Sequence, residues 1–251
     1  MHVRSRTSKG IPIHAADRVF ILTGAGISAE SGIATFRDPD GVWNTVDVET
    51  VATPAGWRRD PTQVWRFYAE RRKQAVKVQP NPAHYALAQL EAALGDRLTL
   101  CTQNIDPLHE RAGARQVLHI HGELMKSRCD GCERPPFYDE RLYLEGAPRC
   151  ECGGRIRPHV CWFGELPFEL DRVLEALETS NVFVTIGSSG TVAPASQFVL
   201  WAGLRTPGGT ARKYYIGVEE PENAGCFDEV FVGKAGKLVP ALFPGVRGTA
   251  D

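Results

Sequence analysis

Two histidines stand two residues apart in VLHIHG, His119 and His121. Imidazole has an unperturbed pKa near neutrality, where one group can take a proton and later return it. Strand alternation would set both side chains on one face if the strand ran through them, so spacing does not choose between them. A second polar group lies in TQNIDP, where Gln103, Asn104 and Asp106 follow an apolar run. Short polar side chains at the carboxyl edge of a parallel sheet reach a ligand crevice. The same residues suit an ordinary turn, because Asn and Asp favour turns and Pro107 follows. In GAGISA, Gly24, Gly26 and Ala29 match the G-x-G-x-x-G/A spacing directly after the apolar run Val19–Thr23. That spacing lets the chain turn sharply and offer backbone N–H groups to a pyrophosphate, although a plain glycine turn has it too.

Cys129 and Cys132 form C-x-x-C, and Cys150 and Cys152 follow after a gap that lets two loops converge on one tetrahedral metal. Four thiolates fill the coordination sphere, which points to structural rather than catalytic zinc. The second pair is C-x-C, a tighter loop than C-x-x-C. Of the seven cysteines, Cys101 and Cys161 sit in apolar strand contexts and read as core, while Cys226 gives no signal. An odd count with four crowded together suits a reducing compartment, so a cytoplasmic protein is expected. In WRFYAERR, Tyr68 and Arg71 are three apart and project from one helix face.

The elements that must position these groups alternate. Short apolar strands are predicted at 19–23, 97–101, 117–120, 181–187 and 213–218. Helices are predicted at 61–77, 82–94, 168–177 and 193–204, with Asn81 capping the second and Pro82 in its first turn. The pattern implies an α/β fold: a Rossmann-like, mostly parallel sheet with helices on both faces. Two stretches break the alternation, Ser31–Pro61 and Glu123–Pro158, and are read as a smaller second region. The 251 residues, 43% hydrophobic, can bury one large core. A net charge of -1 gives no reason to expect nucleic acid or an anionic membrane. The apolar runs fall far short of the roughly 20 residues of a membrane span. The basic, hydroxyl-rich start lacks an apolar h-region, and residues 1–14 are expected to be a flexible terminus.

A hydride-transferring enzyme should continue from the glycine turn into a regular helix, then a strand ending in Asp or Glu about 20 residues on. This chain instead reads SGIATFRDPDGVW, suited to a loop that folds over a ligand, with Phe36 and Arg37 as candidate contacts for ring and phosphate.

Together, GAGISAESGIATFR at 24–37, TQNIDPLHERAG at 102–113 and HGE at 121–123 resemble the sirtuin signature. FGE at 163–165, GSSGTVAPAS at 187–196 and the cysteine module extend the resemblance over nearly the whole chain from about residue 15. The resemblance implies a single catalytic domain over 15–251. Its Rossmann-like lobe would comprise 15–35, 80–122 and 159–251, with a loop and helical insertion at 36–79 and a zinc module at 123–158. It implies an NAD-dependent protein-lysine deacylase that consumes NAD, moves the acyl group onto the ribose and releases nicotinamide.

On that resemblance His121 is the base, and Gln103, Asn104 and Asp106 orient the nicotinamide and its ribose, Asn104 counting among the catalytic groups. Further NAD contacts are implied at Gly24, Ala25, Gly26, Ser28, Phe36, Arg37, Trp43, Ile105, Gly187, Ser188, Ser189 and Ala235. The family usually places Asn before Leu or Pro and Glu near the adenine ribose; here the residues are Gly217, Val218 and Glu219, so a backbone contact is expected. Phe163, Gly164 and Glu165 are implied in substrate binding. The peptide would add as a strand between 162–166 and 189–194, a mode that tolerates many sequences.

The Tyr68/Arg71 pair resembles the sirtuin branch that removes succinyl and malonyl groups besides acetyl, and Arg binds a carboxylate with two parallel hydrogen bonds. Pro39 stands where that branch has a small Ala, and could narrow the pocket mouth. The expected partners are acylated-lysine proteins, with no membrane and no direct nucleic-acid binding, and the chain is expected to be a monomer. The rival readings are a sirtuin-fold ADP-ribosyltransferase or NAD-responsive binding protein, then a Rossmann dehydrogenase, then a zinc-ribbon DNA-binding module.

Overall fold

A computed structural model describes residues 10–35 and 47–244. Its strands are β1 (Val19–Thr23), β2 (Leu98–Thr102), β3 (Val117–His119), β4 (Gly122–Cys129), β5 (Phe137–Tyr138), β6 (Ile156–Val160), β7 (Val182–Ile186), β8 (Arg212–Gly217) and β9 (Glu229–Val232). Helices among the described residues are α1 (Val48–Val51), α2 (Pro54–Arg59), α3 (Pro61–Lys77), α4 (Pro82–Leu94), α5 (Leu108–Arg111), α6 (Leu170–Thr179), α7 (Phe198–Trp201) and α8 (Ala235–Leu242).

Six strands form a parallel sheet in the order β3-β2-β1-β7-β8-β9. The chain winds outward from β1 to β3 and then restarts at β7 on the other side of β1. That reversal is a topological switch point, and it opens a crevice outside the carboxyl ends of β1 and β7. Alternation within β1 sends Val19 and Ile21 to a core with Leu87 and Leu90 of α4 and Val239 and Leu242 of α8. Phe20 and Leu22 face the opposite way, onto Val173 and Leu177 of α6 and Phe198 of α7. Helices therefore cover both faces, which is why β1 and β7 are buried at every position.

The remaining strands form a three-stranded antiparallel sheet, β5-β4-β6, within the stretch that carries the four cysteines. It shares a third core with α3 through Val64, Trp65, Tyr68, Leu124, Ile156 and Trp162. Helix α3 starts where Asp60 caps the N–H of Gln63 at 2.9 Å and Pro61 fills the first turn. Its stripe of Val64, Trp65, Tyr68, Arg72 and Ala75 follows helical spacing.

The sequence reading differs at several places. Residues 10–14 belong to the packed body rather than to a flexible terminus: Ile11 is buried in the first core and its N–H donates to the Leu242 carbonyl at 2.7 Å. The helix expected over 193–204 is a 3-10 turn, Ala195–Gln197, followed by only one turn of α7, and it stops as Gly203 takes φ 84°. Strand β9 and helix α8 were not foreseen.

Candidate active site

The crevice is walled by glycines that let two loops interlock. Gly24 N–H donates to the Ile186 carbonyl at 2.9 Å and Gly26 N–H to the Gly187 carbonyl at 2.8 Å. A Cβ on Gly24 would lie 2.8 Å from the Gly187 oxygen, and one on Gly26 would lie 2.8 Å from the Gly187 Cα. Beyond Gly24 the chain makes two short 3-10 turns, Ala25–Ile27 and Ala29–Ser31, where a dehydrogenase would run a long helix. Ala25 and Gly26 stay half-exposed on the crevice side of this packing.

A buried polar chain lines the next stretch. Asn104 Nδ2 donates to the Gly24 carbonyl at 3.2 Å and to Ser28 Oγ at 3.1 Å, and Ser28 Oγ donates to Asp106 Oδ2 at 3.0 Å. Asp106 Oδ1 accepts the Leu108 N–H at 3.1 Å, so this residue both turns the chain into α5 and anchors Ser28. Burial pushes the Asp106 carboxyl above its ordinary value. Gln103 Nε2 reaches Ser188 Oγ at 3.0 Å, tying the end of β2 to the loop after β7.

The two histidines separate because β3 ends at His119. His119 is buried, with Nε2 2.7 Å from Glu110 Oε1 and Nδ1 3.3 Å from the Asn104 carbonyl. Both neighbours are acceptors, so both ring nitrogens are called on to donate. Burial opposes that charge, but the Glu110 hydrogen bond and carboxylate outweigh it and raise the pKa. His121 is half-buried and donates Nδ1–H to the Gln103 carbonyl at 2.9 Å. No described residue bonds its Nε2, and burial lowers its pKa, so the ring is neutral with a free lone pair.

On the other side, Trp162 Nε1–H donates to the Tyr68 hydroxyl at 3.0 Å, and Tyr68 is 2% exposed. Burial raises the phenol's pKa, so it remains a neutral donor. Arg71 lies over the Phe67 ring at 4.8 Å, and its buried Nε and Nη1 find no hydrogen-bond partner among the described residues. Phe163 is half exposed and Gly164 takes φ 87°.

The four cysteine sulfurs lie within 4.8 Å of one another, with Cys129 to Cys152 at 3.4 Å and Cys132 to Cys150 at 4.0 Å. Tetrahedral zinc with bonds of about 2.3 Å needs sulfurs about 3.8 Å apart, which these distances bracket. The C-x-C spacing is accommodated by a tight turn, Cys150 N–H donating to Gly154 at 2.8 Å and Gly153 N–H returning to Cys150 at 2.9 Å. Gly154 is required there, since its Cβ would sit 2.7 Å from Cys129 Sγ. Gly131 N–H also points at Cys129 Sγ at 3.3 Å, as suits a thiolate.

The model of the Sir2 family matches residues 24–194, more than half of the chain. The chain belongs to the Sir2 family. The NAD-dependent protein deacylase of Yersinia pseudotuberculosis is 48% identical over 227 residues, covering 88% of this chain and 80% of that protein. The one from Caulobacter vibrioides is 47% identical over 232 residues, covering 89% and 94%. Among solved structures, a Sir2 homologue–NAD complex superposes with a TM-score of 0.83 at 38% identity, covering 96% of each chain. A Sir2 homologue–ADP-ribose complex gives 0.84 at 39% identity and 93% of each.

Several residues assigned from the Sir2 resemblance converge at the crevice: Gly24, Ala25, Gly26, Ser28, Gln103, Asn104, Asp106, Gly187 and Ser188. Ile105 instead turns toward the third core, and its carbonyl accepts the Leu124 N–H at 2.8 Å. Ser189 pairs with Thr191 Oγ1 at 2.6 Å. Gly217 ends β8, and Val218 is exposed beyond it. Ala235 is buried at the start of α8. Phe36, Arg37, Pro39 and Trp43 lie outside the described residues.

The Glu165 side chain is engaged within the protein itself. Its carboxylate is held by Arg157 at 2.6 and 2.9 Å, by Arg128 at 3.3 Å and by the Trp162 N–H at 2.8 Å. Its side chain therefore builds the 162–165 turn, leaving only the main chain for a substrate. Sequence reasoning missed Trp162, Arg157, Glu110 and His109. The signal for Trp162 was its place directly before the FGE string.

Proposed function

We propose that this Sir2 family chain is an NAD-dependent protein deacylase whose general base is His121, within one catalytic domain that takes in residues 10–14 as well. The carrying observation is the His121 ring: Nδ1–H is fixed on the Gln103 carbonyl while Nε2 keeps its lone pair. In this reaction NAD is a consumed substrate, and the bond between nicotinamide and ribose breaks as the acyl oxygen of the modified lysine bonds to the ribose. His121 Nε2 takes the proton of a ribose hydroxyl so that its oxygen can attack the acyl carbon. The protonated ring then supplies a proton for release of the lysine amine, with water completing O-acyl-ADP-ribose. The choice of His121 over His119 is supported by the engagement of both His119 ring nitrogens.

Ser28, Gln103, Asn104 and Asp106 orient the nicotinamide end, and the walls of Gly24, Ala25, Gly26, Gly187 and Ser188 take the pyrophosphate and ribose. The four cysteines hold a structural zinc, which closes the β4–β6 module. Among the described residues no helix is long and apolar enough to cross a membrane, and seven cysteines with four gathered in one metal-type cluster suit a reducing, cytoplasmic setting.

The acyl pocket suits acidic chains, succinyl and malonyl, as well as acetyl. Support comes from the buried Nε and Nη1 of the half-buried Arg71, which find no partner among the described residues and which a carboxylate would satisfy. The test is a peptide assay with His121→Ala: NAD-dependent deacylation should vanish while the fold persists, and full activity would overturn the assignment.

A further inference from the structure

A hydrogen-bonded line runs beneath the crevice, from α5 through two strands to Asn104. Thr23 and Thr102 are the last paired residues of β1 and β2 and face each other in register. Thr23 Oγ1 donates to Thr102 Oγ1 at 2.8 Å, and Thr102 Oγ1 accepts the Asn104 N–H at 3.0 Å. That last bond folds the chain back on the strand end and sends the Asn104 side chain toward Gly24 and Ser28. Having donated its proton, Thr23 accepts from His109 Nε2–H at 3.0 Å. Thr23, Thr102 and His109 are each no more than 1% exposed.

His109 has little else to do there. Its Nδ1 has no partner among the described residues, and the His84 ring lies edge-on to it, centroids 5.0 Å apart. Burial, then the nearby His84 and His119, hold its pKa well below the usual histidine value, so it stays neutral. A neutral buried imidazole with one hydrogen bond, aimed at a threonine, is costly for packing alone, where an apolar residue would fill the space.

We propose that His109 and Thr23 are positioning residues for the reaction: through Thr102 they set the backbone of Asn104, and hence the angle at which its side chain meets the nicotinamide ribose. The idea rests on the deacylase reading above.

The test is steady-state kinetics on wild type, Thr23→Val, Thr23→Ser, His109→Leu, His109→Gln and the Thr23→Val/His109→Leu double variant, with Tm measured for each. Thr23→Val should lower kcat about tenfold, the usual effect of losing one buried hydrogen bond, with the peptide KM unchanged. Thr23→Ser should retain most of the rate, and His109→Gln, which keeps a polar group near the Nε2 position, should recover what His109→Leu loses. The double variant should be no slower than the worse single one, because both break the same line. Wild-type kcat in Thr23→Val overturns the proposal, as does a loss that follows Tm and is not recovered by glutamine. Should His109→Leu fail to fold, the Thr23 pair decides alone. An inactive wild type would instead sink the deacylase reading, so the two failures are distinct.

Discussion

Trp162 donates its indole N–H to the hydroxyl of Tyr68 across 3.0 Å, joining the segment before FGE to the helix that carries Arg71. The bond uses one lone pair of the phenol and leaves its proton to be given elsewhere. A carboxylate lying against Tyr68 and Arg71 would receive that proton's hydrogen bond together with those of the guanidinium. On the proposed reading, acyl choice would be coupled in this way to the segment before FGE.

Arg71→Met keeps the length of the side chain and removes its donors. Desuccinylation kcat/KM should fall by at least tenfold, as a charged hydrogen bond of roughly 1.5–3 kcal/mol is lost, while deacetylation changes little. Parallel assays on one peptide carrying either acyl group check this. Equal loss on both would remove Arg71 from the pocket.

The pH profile should report His121. Its pKa is lowered below the ordinary 6.5 by burial, so kcat/KM should be flat through neutrality and decline only as acid protonates Nε2. A limb rising well above pH 7 would contradict the assignment.

Cys150→Ser should abolish zinc retention and lower Tm, because four thiolates at this spacing form a closed site. Metal content and thermal unfolding measure both. An unchanged Tm in a zinc-free protein would show that the module does not depend on the metal.

Glu165→Ala should destabilise the fold by about 3 kcal/mol, since it leaves buried Arg157 unpaired. Burial alone would raise the Glu165 carboxyl, yet its bonds to Arg157 and to the Trp162 N–H lower it overall. A depressed folded pKa means that this stabilisation is present above the unfolded value and is lost as pH falls through the folded one. The acid limb of the wild-type unfolding curve should therefore shrink in the variant.

What was legible in the sequence follows from how strongly each element is marked. Strand β1 and helices α3 and α4 appear at the expected bounds because an apolar run, a proline in the first turn and an N-cap residue mark them. Strand β9 was not visible because it is an edge strand, Glu229 to Val232, with only Phe231 buried. Helix α8 is hidden by Pro240, which normally argues against a helix interior. The resemblance pointed to His121, but residue spacing alone did not separate it from His119. That separation depends on where β3 stops and on Glu110, nine residues away, which claims the first ring. The Arg157 and Arg128 partners of Glu165 were hidden for a similar reason, because they meet it only through the fold.

The central claim is tested most directly by incubating the purified protein with one peptide sequence carrying acetyl-Lys or succinyl-Lys, with and without NAD. Peptide mass and nicotinamide release are followed together. Loss of the acyl group only with NAD, matched by nicotinamide release and faster for succinyl, is the expected result. NAD cleavage with both peptides left acylated would contradict it and favour ADP-ribosyl transfer.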